Sequence, residues 1–515
     1  MPKVSRRSKW ILAAIIGLFL AGRVPVILRQ APAQDEDYFA VPGWTILHEG
    51  IPRIPYMPAR DPKAAFYKAD KVLYALPPLY FYWEALFYLV LGPETSTARL
   101  ASTAAGMAAV VLLFALARRL FDSEAAGCWA AGGYAFSRVV YFPCLMARPD
   151  MLCGALGIGA IFATWNWQRS RQTRWVVVAG VLVGAGMLTH PFAVIFVVQT
   201  AAWLLVCARD WRQRVRSIAL FGALSGAVFL LWVPLILIEP DAFRSQFFNN
   251  VLDRTGPGIL SRFIQPGDAF RIQIPLFIEH VGRIQAGLMV AATVVAGVVS
   301  WRSRKPSFRT AVFLAVSGVY LHIVCQGTHP TKGYWCYTGA LMFVCAGGVI
   351  AAAQTRLVAR FGRTGLLTAL GVLAMGAALL PGSGVRTLAA HLRHWSDINY
   401  DAPRFTRQLI AQTDPDDQLV VDPAWIFDFH RAGRSSVLAL NFKFFFDVTE
   451  FDYDQLVAGP TSRRDGVAPA MEAVFARSIG DREEPFACYA ELYSAPPHRR
   501  PERGGSSSAL RKRSD

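Results

Sequence analysis

The sequence predicts an all-α polytopic membrane protein of about eleven transmembrane helices, followed by a small C-terminal α/β domain. Three observations predict it. Hydrophobic residues make up 54% of the 515 positions and charged residues only 17%, with a mean hydropathy of +0.32, too apolar for a soluble enzyme of this length. Apolar stretches of roughly 20 residues, the length that crosses a bilayer, recur along the chain. Lys and Arg fall in short clusters between those stretches, the pattern that orients helices in a membrane, so the net charge of +17 does not point to nucleic acid.

The elements follow in order. Met1 to Lys9 is basic and Trp10 to Leu28 apolar, and no convincing small-residue cleavage site follows, so this segment is expected as a retained first helix. Lys3, Arg6, Arg7 and Lys9 place its start in the cytoplasm, and the helix then delivers Asp35 to the outer face. Pro78 to Leu91 is short for a crossing and rich in Tyr, Phe and Trp, which suits an interfacial helix on the outer leaflet. Further spans are expected near residues 99–117, 124–142, 150–168, 175–189, 192–208, 215–237, 281–300, 310–326, 335–354 and 364–381. In that register the clusters Arg118/Arg119, Arg169/Arg171/Arg174, Arg209/Arg212/Arg214/Arg216, Arg302/Arg304/Lys305 and Arg356/Arg360/Arg363 all lie inside.

Residues 1–384 form the expected membrane domain and residues 385–493 an extracytoplasmic α/β domain. The latter carries a helical stretch near Phe405 to Gln412 and strand-like runs at Gln418 to Asp422 and Ser436 to Leu440. Residues 494–515 are rich in Pro, Arg and Ser and are expected as a disordered basic tail. The eight cysteines are scattered with no pair at metal-ligand spacing, so neither a disulfide framework nor a zinc site is expected. No Walker-type motif is present, which argues against ATP hydrolysis.

With this topology, polar groups from separate helix ends converge on one outer face. Asp35, Glu36 and Asp37 follow the first helix, Arg148 and Asp150 join two later helices, His190 sits at another turn, and His329, Lys332 and Tyr334 at a further one. A charge at the lip of a bilayer is kept mainly where it pairs, binds or transfers a proton. Cations there would suit a lipid-linked phosphate, and a carboxylate would deprotonate an incoming hydroxyl or amine. Each residue alone also admits a bland role: a solvated acidic turn for Asp35 to Asp37, a simple ion pair for Arg148 and Asp150, a capping contact for His190, a snorkelling anchor for Lys332. The convergence on one face favours chemistry.

Several runs occur in a specific order: Asp35-Glu36-Asp37-Tyr38-Phe39-Ala40, Glu49-Gly50-Ile51-Pro52, Pro77-Pro78-Leu79-Tyr80, Ala98-Arg99-Leu100, Ala117-Arg118-Arg119-Leu120-Phe121, Ala147-Arg148-Pro149-Asp150 and Thr189-His190-Pro191. In that order the chain resembles the GT-C membrane glycosyltransferases, in the branch of the protein O-mannosyltransferases and the aminoarabinose transferases of lipid A. The resemblance extends from Trp10 to about Leu440. It implies inverting transfer of a sugar from a polyprenyl-phosphate donor at the outer face, with no nucleotide, metal or other cofactor. The acceptor is a lipid, a glycan or a protein. By the same resemblance Asp35 is the general base with Glu36 beside it, Asp150 supports the acceptor or the base, and Arg148, His190, Lys332 and Tyr334 serve the donor phosphate. Relatives usually carry a basic residue just before Pro-Pro-Leu, where this chain has Leu76, and Lys71 is the candidate substitute. An Ala- and Arg-rich composition points to a bacterial inner membrane. A transporter or flippase, or a non-catalytic binder of lipid-linked sugars, is the alternative, but repeated halves and charged helices at mid-membrane are not evident.

Overall fold

A computed structural model describes residues 4–33, 35–252, 258–330, 333–362 and 364–501. The chain begins with α1 (Arg6–Ala21) and α2 (Val24–Arg29), then α3 (Glu36–Glu49), α4 (Leu79–Leu91), α5 (Thr95–Phe121), α6 (Glu124–Phe136), α7 (Arg138–Leu145), α8 (Asp150–Ser170), α9 (Thr173–Met187), α10 (Val194–Cys207) and α11 (Trp211–Phe229). It continues through α12 (Val233–Ile236), α13 (Pro240–Phe247), α14 (Ile259–Ile264), α15 (Gly267–Val281), α16 (Arg283–Ser303), α17 (Pro306–Gln326), α18 (Cys336–Phe361) and α19 (Thr364–Leu379).

Every expected span is helical. Among the described residues, six segments are long and apolar enough to cross a membrane unaided: Arg6–Arg29, Thr95–Phe121, Trp211–Ile236, Arg283–Ser303, Pro306–Gln326 and Cys336–Phe361. The others depart from an ideal span for local reasons. The stretch expected at 124–142 divides at Ser137, whose extended backbone separates α6 from α7. Helix α9 has 15 residues, about 22 Å at 1.5 Å per residue, which is short of the ~30 Å hydrocarbon core. Helix α4 has 13 residues, as suits an interfacial element, and buries Tyr80, Phe81, Glu84 and Tyr88.

The bundle packs through small residues, which let helix backbones approach where no hydrophobic driving force separates helix from lipid. A Cβ at Gly347 on α18 would meet the Ala130 backbone of α6 at 2.9 Å, and one at Gly127 on α6 would meet the Phe114 carbonyl of α5 at 2.8 Å. Helices α5, α6, α8 and α18 surround this core, with Leu113, Ala130, Ile158 and Leu341 fully buried.

After α20 (Val385–Arg393) and α21 (Ala402–Ala411), the chain builds a five-stranded sheet in the order β2-β1-β5-β7-β6, with α22 (Ile426–Arg431) between β1 and β2. The strands are β1 (Leu419–Val421), β2 (Ser436–Leu438), β5 (Gln455–Ala458), β6 (Val474–Gly480) and β7 (Tyr489–Ser494), with a separate hairpin of β3 (Asn441–Phe442) and β4 (Phe446–Asp447). Strand β1 is parallel to β2 and β5, while β7 is antiparallel to both β5 and β6. The sheet shares one core with the segment between α2 and α5, in which Tyr38, Tyr56 and Phe66 pack with Phe405, Val420 and Leu456. Backbone bonds seal the seam: Leu438 N donates to Tyr56 O at 3.0 Å and Ala65 N to Phe444 O at 2.7 Å. Of the expected tail, Ala495 N bonds Asp454 O and Arg499 O accepts from Tyr453 N, and residues 502–515 lie outside the described residues.

Candidate functional site

The site is built where the N-terminal ends of α3, α8, α10 and α18 meet. Asp35 precedes α3, whose first turn carries Glu36 and Asp37, charges that suit the positive end of a helix dipole. Pro149 sets the start of α8, so Asp150 enters its first turn and Arg148 stays in the preceding extended segment. His190 precedes the 3-10 turn Pro191–Ala193, and Tyr334 lies in the 3-10 turn Gly333–Trp335 that opens α18.

Arg148 joins the acids. Its guanidinium pairs with Asp35 through Nη1 and Oδ2, and with Asp150 through Nε and Oδ2 at 2.8 Å. Asp150 is fully buried and its Oδ1 also accepts from Tyr337 OH at 3.0 Å, whereas the Asp35 side chain is 44% exposed and reaches the open side. The Arg148 backbone is clamped on Ser102 Oγ, which both accepts from Arg148 N and donates to Arg148 O at 3.0 Å, and Tyr80 OH lies 2.8 Å from the same hydroxyl. The Pro-Pro-Leu-Tyr run thereby acts on the site through Tyr80.

Glu36 points the other way. Its carboxylate takes a bidentate pair from buried Arg99, Nε to Oε1 and Nη2 to Oε2, each 2.7 Å, and accepts from Ala33 N at 2.8 Å and Ala147 N at 3.0 Å. Asp37 is buried, and neither of its oxygens makes a hydrogen bond among the described residues. Burial, then the charges of Asp35 and Asp422, push its carboxyl well above the usual carboxylate range.

His190 is 4% exposed and packs on Tyr334 and Tyr337, with ring centroids 5.2 Å and 5.9 Å away. Burial pushes its imidazole down to about 4, so it is neutral near pH 7. Nδ1 accepts from Phe192 N at 3.2 Å, which leaves Nε2 as the N–H donor. The Arg148 guanidinium lies 5.5 Å from the Tyr334 ring centroid. Beside this group opens a cavity of about 240 Å³, lined by Leu76, His190, Phe192, Asn250, Arg262, Gln326, His329 and Tyr334.

Of the residues singled out in the sequence, Asp35, Arg148, Asp150, His190 and Tyr334 come together. Glu36 adjoins them but is held by Arg99. Lys71 is exposed and does not line the cavity. Lys332 lies outside the described residues. Three partners were not singled out. Tyr337 stands one helical turn past Tyr334, a spacing that could have flagged it. Arg99 opens a span, where a charge invites the search for a partner. Arg262, buried with Nη1 donating to Cys325 O at 3.2 Å, sits in the long segment after α12, which has no periodic signal.

Residues 75–237 match the sequence profile of the dolichyl-phosphate-mannose-protein mannosyltransferase family. No curated protein sequence matches the chain. Among solved structures, the chain is similar to ArnT from Cupriavidus metallidurans bound to undecaprenyl phosphate, with a TM-score of 0.63 and 14% identity over 96% of this chain and 100% of that one. It is also similar to the Archaeoglobus fulgidus oligosaccharyltransferase, with a TM-score of 0.55 and 11% identity over 96% of this chain and 74% of that one. The chain is a multi-pass membrane protein of the GT-C fold. The stretch that matches the mannosyltransferase-family profile holds Tyr80, Arg99, Arg148, Asp150 and His190.

Proposed function

We propose that this chain is an inverting glycosyltransferase that moves a sugar from a polyprenyl-phosphate donor to a lipid, glycan or protein acceptor at the outer face of a bacterial inner membrane. The observation that carries the proposal is the Asp35–Arg148–Asp150 group beside a cavity lined by His190, Arg262 and Tyr334, in a fold shared with a protein solved with undecaprenyl phosphate bound. In this reading the donor phosphate enters the cavity. Arg262 and the Nε2–H of His190 receive its oxygens, and Tyr334 covers it.

Asp35 is the open carboxylate and takes the acceptor's proton as the acceptor oxygen or nitrogen attacks the anomeric carbon. The bond from that carbon to phosphate oxygen breaks on the opposite side, and polyprenyl phosphate departs with the electron pair. One displacement inverts the anomeric configuration. A phosphate is a good leaving group, so no general acid is required. Arg148 aligns Asp35, with Asp150 holding the guanidinium and Tyr337 holding Asp150. Glu36 is a positioning residue that fixes the start of α3 through Arg99. The N-terminus lies in the cytoplasm and the sheet domain outside it, which puts the arginine clusters of the interhelical turns on the inner face.

The test is transfer of labelled sugar by the purified protein from a panel of polyprenyl-phosphate sugars to membrane extract, with product configuration read by NMR. Transfer with inversion from one donor supports the reading. Absence of transfer from all of them, or retention of configuration, refutes it. Arg262→Gln should raise the donor KM and leave acceptor KM unchanged, and the reverse pattern would move the donor elsewhere.

A further inference from the structure

Helix α5 runs about 30 Å from Arg99 beside Glu36 to Arg118 and Arg119, so its far end lies across the bundle from the Asp35 site. There the ends of α5 and α8 and the start of α9 enclose a second cavity, of about 570 Å³, that the proposed chemistry does not use. Arg118, Arg119, Arg169 and Arg174 line it, against the carboxylates of Asp122 and Glu124.

One guanidinium is anchored in the wall. Arg119 Nη1 donates to Oδ1 of buried Asn166 at 2.9 Å, and Asn166 is itself tied to Phe162 O at 2.7 Å. Arg119, Arg169 and Arg174 lie over the rings of Phe162, Trp165 and Trp175, at 5.7 Å, 5.8 Å and 5.4 Å from the centroids. The acids are partly engaged, Glu124 with Arg118 at 3.9 Å among its contacts. Glu124 binds the hydroxyls of Ser5 and Ser8 and the Ser5 amide at the start of α1, and Asp122 pairs with Arg169 at 3.2 Å. Four guanidiniums against two carboxylates around a cavity, flanked by Trp rings, have the chemistry of a phosphate site at headgroup depth.

We infer that this cavity binds the phosphate headgroup of an anionic phospholipid of the leaflet opposite the Asp35 site. The glycerol phosphate enters between α5 and α8, and the acyl chains lie outside against the bundle. Orientation of the helices in the bilayer accounts for basic residues at these turns but not for an arginine-lined cavity with a buried amide holding one guanidinium.

The test uses the full chain in detergent, with retained lipid counted by native mass spectrometry and Tm followed with added dioleoyl phosphatidylglycerol or dioleoyl phosphatidylcholine. The wild type should retain phosphatidylglycerol and gain Tm from it over phosphatidylcholine. Arg119→Gln/Arg169→Gln should weaken phosphatidylglycerol binding about 30-fold. The pair Arg119→Lys/Arg169→Lys keeps the charge and should keep most of the preference, which separates lost binding from lost folding. Equal response to the two lipids, or an unchanged response in the Gln double variant, would overturn the inference. So would an equal response to sn-glycerol 3-phosphate, which would assign the site to a soluble anion. None of these readouts involves sugar transfer, so the inference stands or falls apart from the proposed reaction.

Discussion

Replacing Arg99 with Gln should do more damage than its distance from the open carboxylate suggests. Arg99 is 4% exposed and makes five hydrogen bonds, two to Glu36 and one each to the carbonyls of Ile27, Gln30 and Ala31. It therefore ties the end of α2, the connecting turn and the first residue of α3 to α5. In Arg99→Gln, Glu36 stays buried with only two backbone amides to offset its charge, and the three carbonyls lose their donor. Removing one partner of a buried pair costs about 3–5 kcal/mol. Glu36→Gln should cost less, about 1.5–3 kcal/mol, because the three carbonyls still satisfy the guanidinium. The double variant carries no stranded charge, so its loss should fall short of the two single losses combined by at least about 1 kcal/mol. The assay is unfolding in mixed micelles by SDS titration, followed by tryptophan fluorescence. Arg99→Gln within about 1 kcal/mol of wild type, or additive losses in the double variant, would refute the reasoning.

Three further outcomes are expected. Asp37→Asn should be more stable than wild type by about 1–3 kcal/mol at pH 8, because it removes a buried ionisable acid. Since the folded state holds the Asp37 proton more tightly than the unfolded chain, wild-type stability falls as pH rises and the gap should close toward pH 4; a gap that widens on acidification would refute this. The His190 shift has the opposite sign. With its folded value at about 4, stability is complete above about pH 6.5 and should fall by up to about 3 kcal/mol toward pH 4, a slope that the difference between wild type and His190→Gln isolates. Gly43→Ala should lose about 1–3 kcal/mol, since its Cβ would collide with the Glu84 carboxylate where α3 packs on α4, and an unchanged Tm would count against that packing.

The helices were legible because apolar runs and basic turns are local signals, and each expected span is helical. The break at Ser137 was not, since Gly127, Gly132 and Gly133 of the run from Glu124 to Phe142 all lie within α6 and none stands at the break. In the C-terminal domain two strands were legible and five were not. Strands β3, β4 and β5 have two to four residues, and β6 is largely exposed, with no alternation to betray it. At the site, Asp35, Arg148 and Asp150 were legible because they punctuate helix ends on one face. The partner of Glu36 stands 63 residues away and that of Asp150 stands 187 away, and only packing reveals such pairs. Lys71 was chosen for its charge, but the segment around it buries Val72, Leu73 and Tyr74 and leaves Lys71 outside.

The central claim is that Asp35 removes the acceptor proton during transfer from a polyprenyl-phosphate sugar. Single-turnover transfer with donor bound in advance, compared between wild type and Asp35→Asn, tests it most directly. The account predicts that donor affinity is retained while the transfer rate falls at least about 100-fold. Transfer by Asp35→Asn at the wild-type rate would contradict it.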